Sequence, residues 1–368
     1  MPLFRSLVGS GAVLPLVADY SAGVYEPRPP VRHHLNKADG RKKVVYTFAA
    51  PDELMFKALN LALQSSMEEC LSPLCHSFRP RHGPRSAFRS LFMVPDLTRL
   101  ACLHVDIRDF FNSIPIERLL ESLPESIKRD RPLFALLSST LLDSRVLSDD
   151  TIVEDGHKGV MAGTPLAPLL SNLYLRGLDA AFESSRVPYV RYADDIVVFA
   201  PLSEIEDHRR HIAGVLGGLG LELNDRKTRL SDPGMPWEFL GFRFEHGRLD
   251  VAPVTAGKLR RRVRRIARRA RGRPDACAFA LRRLNRKLYG VGGRASDFTW
   301  ADWFFPLLST DRTLRSLDRM IQAQLRFAVT GRHEKRNFRA VPYEALRQAG
   351  YLPLVSAFHR TAGTRRPV

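Results

Sequence analysis

A chain of 368 residues with 44% apolar content can build one large core or two to three smaller lobes, which excludes disorder as the leading reading. Its 57 Lys and Arg against 39 Asp and Glu leave a formal charge of +18, which repels itself and attracts a polyanion, nucleic acid being the obvious counter-charge. The four cysteines (Cys70, Cys75, Cys102, Cys277) show no CxxC pair and no zinc-type His spacing, so they read as reduced thiols of a cytoplasmic protein.

Taken in chain order, Leu7 to Ala18 is mildly apolar, but Gly, Pro and Asp interrupt it, so a packed helix or loop is expected there. No run approaches the roughly 20 apolar residues that span a bilayer, and no membrane partner is expected. A basic segment, His33 to Lys43, precedes apolar residues at helical spacing through Leu54, Ala58, Leu61 and Leu63. LACLHVDI reads as a buried strand that delivers Asp106 to its C-terminal end, before the turn-like RDFFNS. Pro168 to about Phe182 reads as one helix, with Pro in its first turn and Leu170, Leu173, Tyr174 and Leu178 sharing a face. YVRYADDIVVFA reads as a hairpin with arms Tyr189 to Tyr192 and Ile196 to Phe199, and with Asp194 and Asp195 both in the turn. From Val251 onward Arg-rich helical patterns take over. Between Lys258 and Arg273 there are ten Lys or Arg and no acid, while Leu259, Val263, Ile266, Ala267 and Ala270 form one stripe by which a helix can dock.

Adjacent carboxylates repel unless something positive sits beside them, and a divalent cation would resolve that conflict. Two-metal nucleotidyl transfer needs hard oxygen ligands for Mg²⁺ ions about 3.5–4 Å apart, one activating a primer 3′-hydroxyl and one bracing the leaving pyrophosphate. Asp106, Asp194 and Asp195 can supply those ligands only if their strands are neighbours in one sheet. Singly, each signal also fits an ordinary strand or a solvated turn.

The segments DIRDFFNSI, GVMAGTPLAPLLSNLYL, YVRYADDIVVF, LGLELNDRKTRL and EFLGFRF, in this order and spacing, resemble bacterial reverse transcriptases. Lys37, Asp39, Gly40 and Lys43, followed by SFRPRHGPRSA from Ser77, resemble the fingers motifs of the group II intron branch. The resemblance covers roughly Tyr25 to Phe244 and implies an α+β right-hand polymerase with fingers, an antiparallel-sheet palm and a helical thumb. The expected divisions are an N-terminal extension at 1–24, fingers at 25–100, a catalytic palm at 101–250, and a basic helical thumb with a C-terminal lobe at 251–368. The implied activity is RNA-directed DNA polymerisation, making cDNA from dNTPs on an RNA template and primer, with two Mg²⁺ ions or Mn²⁺ in their place.

Carried over by resemblance, Asp106 and Asp194 match the principal metal ligands and Asp195 the third catalytic carboxylate. Phe111 matches a steric gate whose ring would clash with a ribose 2′-hydroxyl, although simple packing also explains it. Lys37, Arg41 and Lys43 lie where the family contacts the incoming triphosphate, or are solvated surface charges. Arg79 falls in the F-R-P fingers element, where template contact and a local structural role both remain open. Lys227 matches a lysine placed to protonate the departing pyrophosphate. Phe239, Leu240 and Gly241 look like a primer-grip hairpin, or an ordinary buried strand. Lys258, Arg261, Arg262, Arg265, Arg268 and Arg269 suit a thumb helix tracking duplex phosphates. The rings of Trp300, Trp303, Phe304 and Phe305 read as packed core rather than a base-stacking platform.

One departure stands out. Where many family members carry Pro-Gln-Gly and then Ser-Pro, this chain has Met161-Ala162-Gly163 and Ala167-Pro168. Loss of the Gln contact to the nucleotide sugar is expected to alter nucleotide discrimination. The retron V-T-G signature does not follow Lys227, and the diversity-generating class commonly has Ser-Gln at Ala167-Pro168. The expected setting is therefore an unknown-group or defence-associated enzyme, with a dedicated non-coding RNA among the candidate partners. Intron-type and diversity-generating enzymes are the nearer alternatives. An RNA-dependent RNA polymerase would need room at Phe111, and a silent RNA-binding scaffold would not need three carboxylates and Lys227 together.

Overall fold

The structure is a computed structural model that describes residues 13–36, 42–156, 158–290 and 299–363. The chain divides into two compact units, Met1–Pro233 and Gly234–Val368. Among the described residues the strands are, in chain order, β1 (Val31–Asn36), β2 (Lys42–Thr47), β3 (Ala101–Asp106), β4 (Arg145–Ser148), β5 (Thr151–Glu154), β6 (Tyr189–Tyr192), β7 (Asp195–Ala200), β8 (Arg229–Ser231), β9 (Trp237–Phe239), β10 (Phe242–Glu245) and β11 (Arg248–Val251).

The first unit holds two sheets. In one, β2-β1-β4-β5, the β1–β2 hairpin is antiparallel and β1 meets β4 in parallel. The other, β6-β7-β3-β8, is antiparallel throughout. Its central strands are rich in Val, Ile and Phe because such side chains fill a pleated surface well. Leu103, Val105, Ile196 and Val198 share a core with Phe56 and Leu63 of helix Ala50–Ser66, Leu136 and Leu137 of helix Arg131–Leu142, and Ile212 and Leu216 of helix Ile205–Gly218.

Two expectations change here. The helix expected from Pro168 to Phe182 is two helices, Ala167–Tyr174 and Arg176–Ser185. The break falls at Leu175, where the chain tightens into a Leu178 N–H bond to the Leu175 carbonyl (3.0 Å) beside Gly177, a weak helix former. The hairpin turn is shorter than expected. Tyr192 pairs with Asp195, so only Ala193 and Asp194 form the turn and Asp195 opens β7. Ala193 carries the positive φ (58°) that a two-residue hairpin loop demands at its first position.

Beneath that turn lies a fully buried ion pair. Arg191 of β6 donates from Nε to Asp179 Oδ1 at 2.7 Å and from a terminal nitrogen to Asp179 Oδ2 at 2.5 Å, with both side chains at 0% exposure. Burying two charges costs several kcal/mol each, which a two-pronged geometry with further hydrogen bonds can offset.

In the second unit β9, β10 and β11 form an antiparallel meander followed by helices Pro253–Ala270, Ala276–Tyr289 and Arg312–Thr330. Strands β9–β11 thus cluster with the helices that follow them rather than with the first unit. Helix Pro253–Ala270 begins with Pro in its first turn and stops before Gly272 at φ 80°. Ala256, Leu259, Val263, Ala267 and Ala270 form its buried stripe. Trp300, Phe304 and Phe305 are buried core rings.

Candidate active site

Antiparallel pairing of β3 with β7 sets Asp106 directly opposite Asp195. Register partners project from one face, so two carboxylates far apart in sequence become side-by-side neighbours. Asp194, at the turn, is tied to the same strand end by its carbonyl, which accepts from Ile107 N–H at 3.1 Å. His104, two residues before Asp106 and hence on the same face, places Nε2 3.2 Å from Asp195 Oδ1.

A separate loop closes on Asp106. Leu223 bridges Ile107, and Asn224 N–H donates to the Asp106 carbonyl at 2.7 Å. The Asn224 side-chain amide then donates to Asp106 Oδ1 at 2.9 Å. A turn in which Lys227 and Thr228 N–H groups both bond the Asn224 carbonyl brings Lys227 Nζ to 2.8 and 2.7 Å from the two Asp106 oxygens. The Asp106 carboxylate is buried, whereas Lys227 is more than half exposed, so solvent screens the cation's side of the pair.

Burial, then the negative charges of Asp195 and Asp106, push the Asp194 carboxyl up to about 6. Deprotonated, this cluster needs positive charge close by. Its donors are all hard carboxylate oxygens, the kind that suits Mg²⁺. Among the described residues no group of three or more His, Cys, Asp or Glu side chains is placed to hold a metal ion by itself. Mg²⁺ usually takes one or two carboxylates and completes its shell with water and substrate phosphates, an open pattern that Asp106, Asp195 and Asp194 fit in kind.

Phe111 is half-buried, its ring 5.3 Å from that of buried Phe110 and 6.1 Å from that of Phe78, which in turn lies 6.3 Å from Tyr192. Its carbonyl accepts from Val160 N–H at 2.9 Å. The neighbouring Gly159, at φ 50°, leaves only 2.4 Å between an added Cβ and the Phe111 carbonyl oxygen, so no other residue fits without moving backbone. Ala162 is buried, with its N–H bonded to Asn112 Oδ1 (3.1 Å) and its carbonyl to Tyr46 N–H (2.8 Å). Gly163, at φ 104°, sits against the Tyr46 carbonyl. The segment thereby joins the loop after β3 to strand β2. Lys43 is exposed on β2, while Lys37 and Arg41 lie outside the described residues.

A model of the family described as Reverse transcriptase (RNA-dependent DNA polymerase) matches residues 52–244, the stretch that carries all three carboxylates and Lys227. The chain belongs to the reverse transcriptase family. It is accordingly an RNA-directed DNA polymerase by family. Protein YkfC of Escherichia coli (strain K12) is 24% identical over 262 residues, covering 60% of this reverse transcriptase and 68% of that protein. The uncharacterized 91 kDa protein in cob intron of Schizosaccharomyces pombe is 29% identical over 163 residues, 42% of this chain and 19% of that much longer one. The solved structure of apo telomerase from Candida tropicalis matches with TM-score 0.52 at 10% identity, covering 96% of this chain and 68% of that one. That is a likeness of fold, and it agrees with the α+β right-hand polymerase architecture.

Other expected site residues of the reverse transcriptase are placed as follows. Arg79 is only 6% exposed, bonded through Nε and a terminal nitrogen to Glu68 and through its other nitrogen to the carbonyls of Ser72 (2.6 Å) and Cys75 (2.8 Å). Four of its five N–H donors are thus engaged inside the protein, an arrangement that suits the local structural role of the two left open. In the second unit, Leu240 and Gly241 (φ 51° and 84°) form a two-residue turn between buried Phe239 and Phe242, and the Leu240 carbonyl accepts from Trp303 Nε1 at 3.1 Å. Lys258, Arg261, Arg262, Arg265, Arg268 and Arg269 are exposed along helix Pro253–Ala270, and none pairs with a described acid.

Sequence reasoning missed Asn224, His104, Arg191, Asp179, Asn172 and Ser77. Asn172 and Asp179 gave one usable signal, as polar residues interrupting the apolar pattern of the helical stretch after Pro168.

The raised Asp194 carboxyl has a thermodynamic consequence. Folded protein binds more protons than unfolded chain between pH 3.8 and about 6, so this group's contribution to stability falls as pH rises through that window. With EDTA present, Asp194→Asn should therefore stabilise the protein by about 3 kcal/mol above pH 7, from a shift of roughly two pKa units. That gain should disappear below pH 4, as read by urea unfolding across pH.

Proposed function

We propose that this reverse transcriptase makes cDNA by two-metal nucleotidyl transfer, with Asp106, Asp194 and Asp195 holding the ions. The observation that carries the reading is the β3–β7 register, which puts Asp106 opposite Asp195 and one residue from Asp194. When bound, two Mg²⁺ ions supply Lewis-acid activation of a primer hydroxyl and charge stabilisation on the leaving pyrophosphate. Asn224 and Lys227 orient the Asp106 carboxylate, and Lys227 carries the proton that the pyrophosphate takes. Phe111 closes the nucleotide pocket against a 2′-hydroxyl, and Lys43, Ala162 and Gly163 belong to the surroundings of the incoming dNTP. Asp106→Asn and Asp194→Asn should each lower primer extension on an RNA template at least a hundredfold while leaving the protein folded. Full activity in either variant sinks the reading.

The same reading assigns Phe111 to sugar selection. Phe111→Ala should reduce the preference for dNTP over rNTP by about tenfold or more, measured as the ratio of kcat/KM on one primed RNA. An unchanged ratio returns Phe111 to a packing role.

The exposed cations of helix Pro253–Ala270 support binding of a template–primer duplex, because unneutralised arginines so close together are unfavourable without an anion. Arg265→Ala and Arg269→Ala should weaken duplex binding and each lower the slope of log K against log salt by about one. The proposed setting is bacterial antiphage defence with a dedicated non-coding RNA. It rests on the departures at Ala162 and Ala167-Pro168 from intron-type and diversity-generating patterns, and plaque counts on cells expressing wild-type or Asp194→Asn protein test it.

A further inference from the structure

A run of hydrogen bonds connects the buried ion pair to the backbone of the Ala193–Asp194 turn. Arg191, held by Asp179, donates to Asn172 Oδ1 at 3.0 Å. The same Asn172 oxygen accepts from Ser77 Oγ at 3.2 Å, and the Asn172 amide nitrogen donates to the Ser77 carbonyl at 2.8 Å. Ser77 Oγ in turn accepts the Ala193 N–H at 2.8 Å. Each member is buried, and each side chain is engaged by the next. The last link is the informative one. Ala193 sits at φ 58°, a region that an L-residue with a Cβ avoids, and such conformations persist where the surroundings over-determine them.

We propose that Asp179, Arg191, Asn172 and Ser77 form a clamp that holds Ala193 in the left-handed conformation and thereby sets where Asp194 presents its carboxylate. These are positioning residues, since none of them reaches a reacting atom, and their importance for catalysis rests on the reading of Asp194 as a catalytic carboxylate. The chain of cause is local. Without the Ser77 acceptor, the Ala193 N–H is left unpaired in a buried place and the strained φ loses its hold. The turn then relaxes toward negative φ and carries Asp194 with it. The fingers motif that contains Ser77 is thus tied to the catalytic turn by a hydroxyl, rather than only by proximity in the sequence pattern.

This account separates from general core support through Ala193→Gly, because glycine occupies the left-handed region without a Cβ penalty. In full-length protein, Ser77→Ala should lower kcat about tenfold with KM for dNTP within about twofold, and should speed hydrogen exchange of the Ala193 amide at least tenfold. The double variant Ser77→Ala/Ala193→Gly should recover at least half of the lost kcat. In wild-type protein the Ala193 amide should exchange as slowly as the amides in the middle of β7. Fast wild-type exchange at Ala193 overturns the clamp, as does a Ser77→Ala loss that Ala193→Gly does not reduce. Exchange is measured without metal or substrate, so a wild-type protein with a protected turn and no polymerase activity would defeat the functional reading while leaving the clamp standing.

Discussion

Everything in the first unit is arranged around one pairing, β3 against β7, in the register that faces Asp106 with Asp195. A shift by one residue would send one of the two carboxylates to the opposite side of the sheet, because side chains alternate along a strand. The register is held by what lies below it. Leu103, Val105, Ile196 and Val198 are committed to the core, and moving them would expose an entire apolar row. Hydrophobic burial thus places charges together that repel one another. Burial first, and then the neighbouring charges of Asp195 and Asp106, raise the Asp194 carboxyl, a local instability at the point where a cation would be bound on the proposed reading.

Three separate stretches of chain keep that strained cluster in shape. The Asn224 loop grips Asp106 through both backbone and side chain, so the carboxylate has one orientation before any ligand arrives. Ser77 reaches the Ala193 backbone from the loop before helix Pro84–Phe92. Asn112, just past Phe111, accepts the Ala162 N–H and donates its side-chain amide to the Val44 carbonyl, linking the exit of β3 to the β1–β2 hairpin that carries Lys43. Each link is a buried or half-buried hydrogen bond whose loss would leave a polar group without water to replace the partner. Position at the site is therefore set by polar contacts laid over an apolar core, and the two contributions do different jobs.

This division explains what could be read from the residues alone. Strand β3 and the buried Leu259, Val263, Ala267 and Ala270 of helix Pro253–Ala270 follow from periodicity, because burial of apolar side chains writes a regular pattern, whereas helix Ala50–Ser66 buries Leu54, Met55, Phe56 and Leu63 and leaves Ala58 and Leu61 of the expected spacing exposed. The closeness of Asp106 to the Asp194–Asp195 pair required a guess about strand order, which no single segment carries. Local geometry was harder still. That Asp195 belongs to β7 rather than to the turn depends on Ala193 adopting a positive φ, and alanine gives no hint of it. Arg79 was legible as important but not as internal rather than template-facing, both roles staying open, since an arginine that pairs with Glu68 and two carbonyls has the same letter as one that binds phosphate. The Arg191–Asp179 pair escaped for a similar reason, because Asp179 is legible as a polar interruption of an apolar helix face but nothing names its partner on a strand 12 residues on.

The second unit shows the same logic with the sign reversed. Its long basic helix docks through Ala256, Leu259, Val263 and Ala267, and the small alanines let the helix seat closely while the arginines stay in solvent. Arginines three and four apart on one helix repel by a few tenths of a kcal/mol per pair, and no described acid offsets them. On the proposed reading, acidic repulsion in one unit and basic repulsion in the other would each be relieved by a ligand of opposite charge, divalent cations for the first and a phosphodiester backbone for the second. Any species that binds the native form and not the unfolded chain adds to stability by mass action. On that reading each unit would gain stability from its own ligand, and the charges that weaken each unit alone would be the ones that bind it.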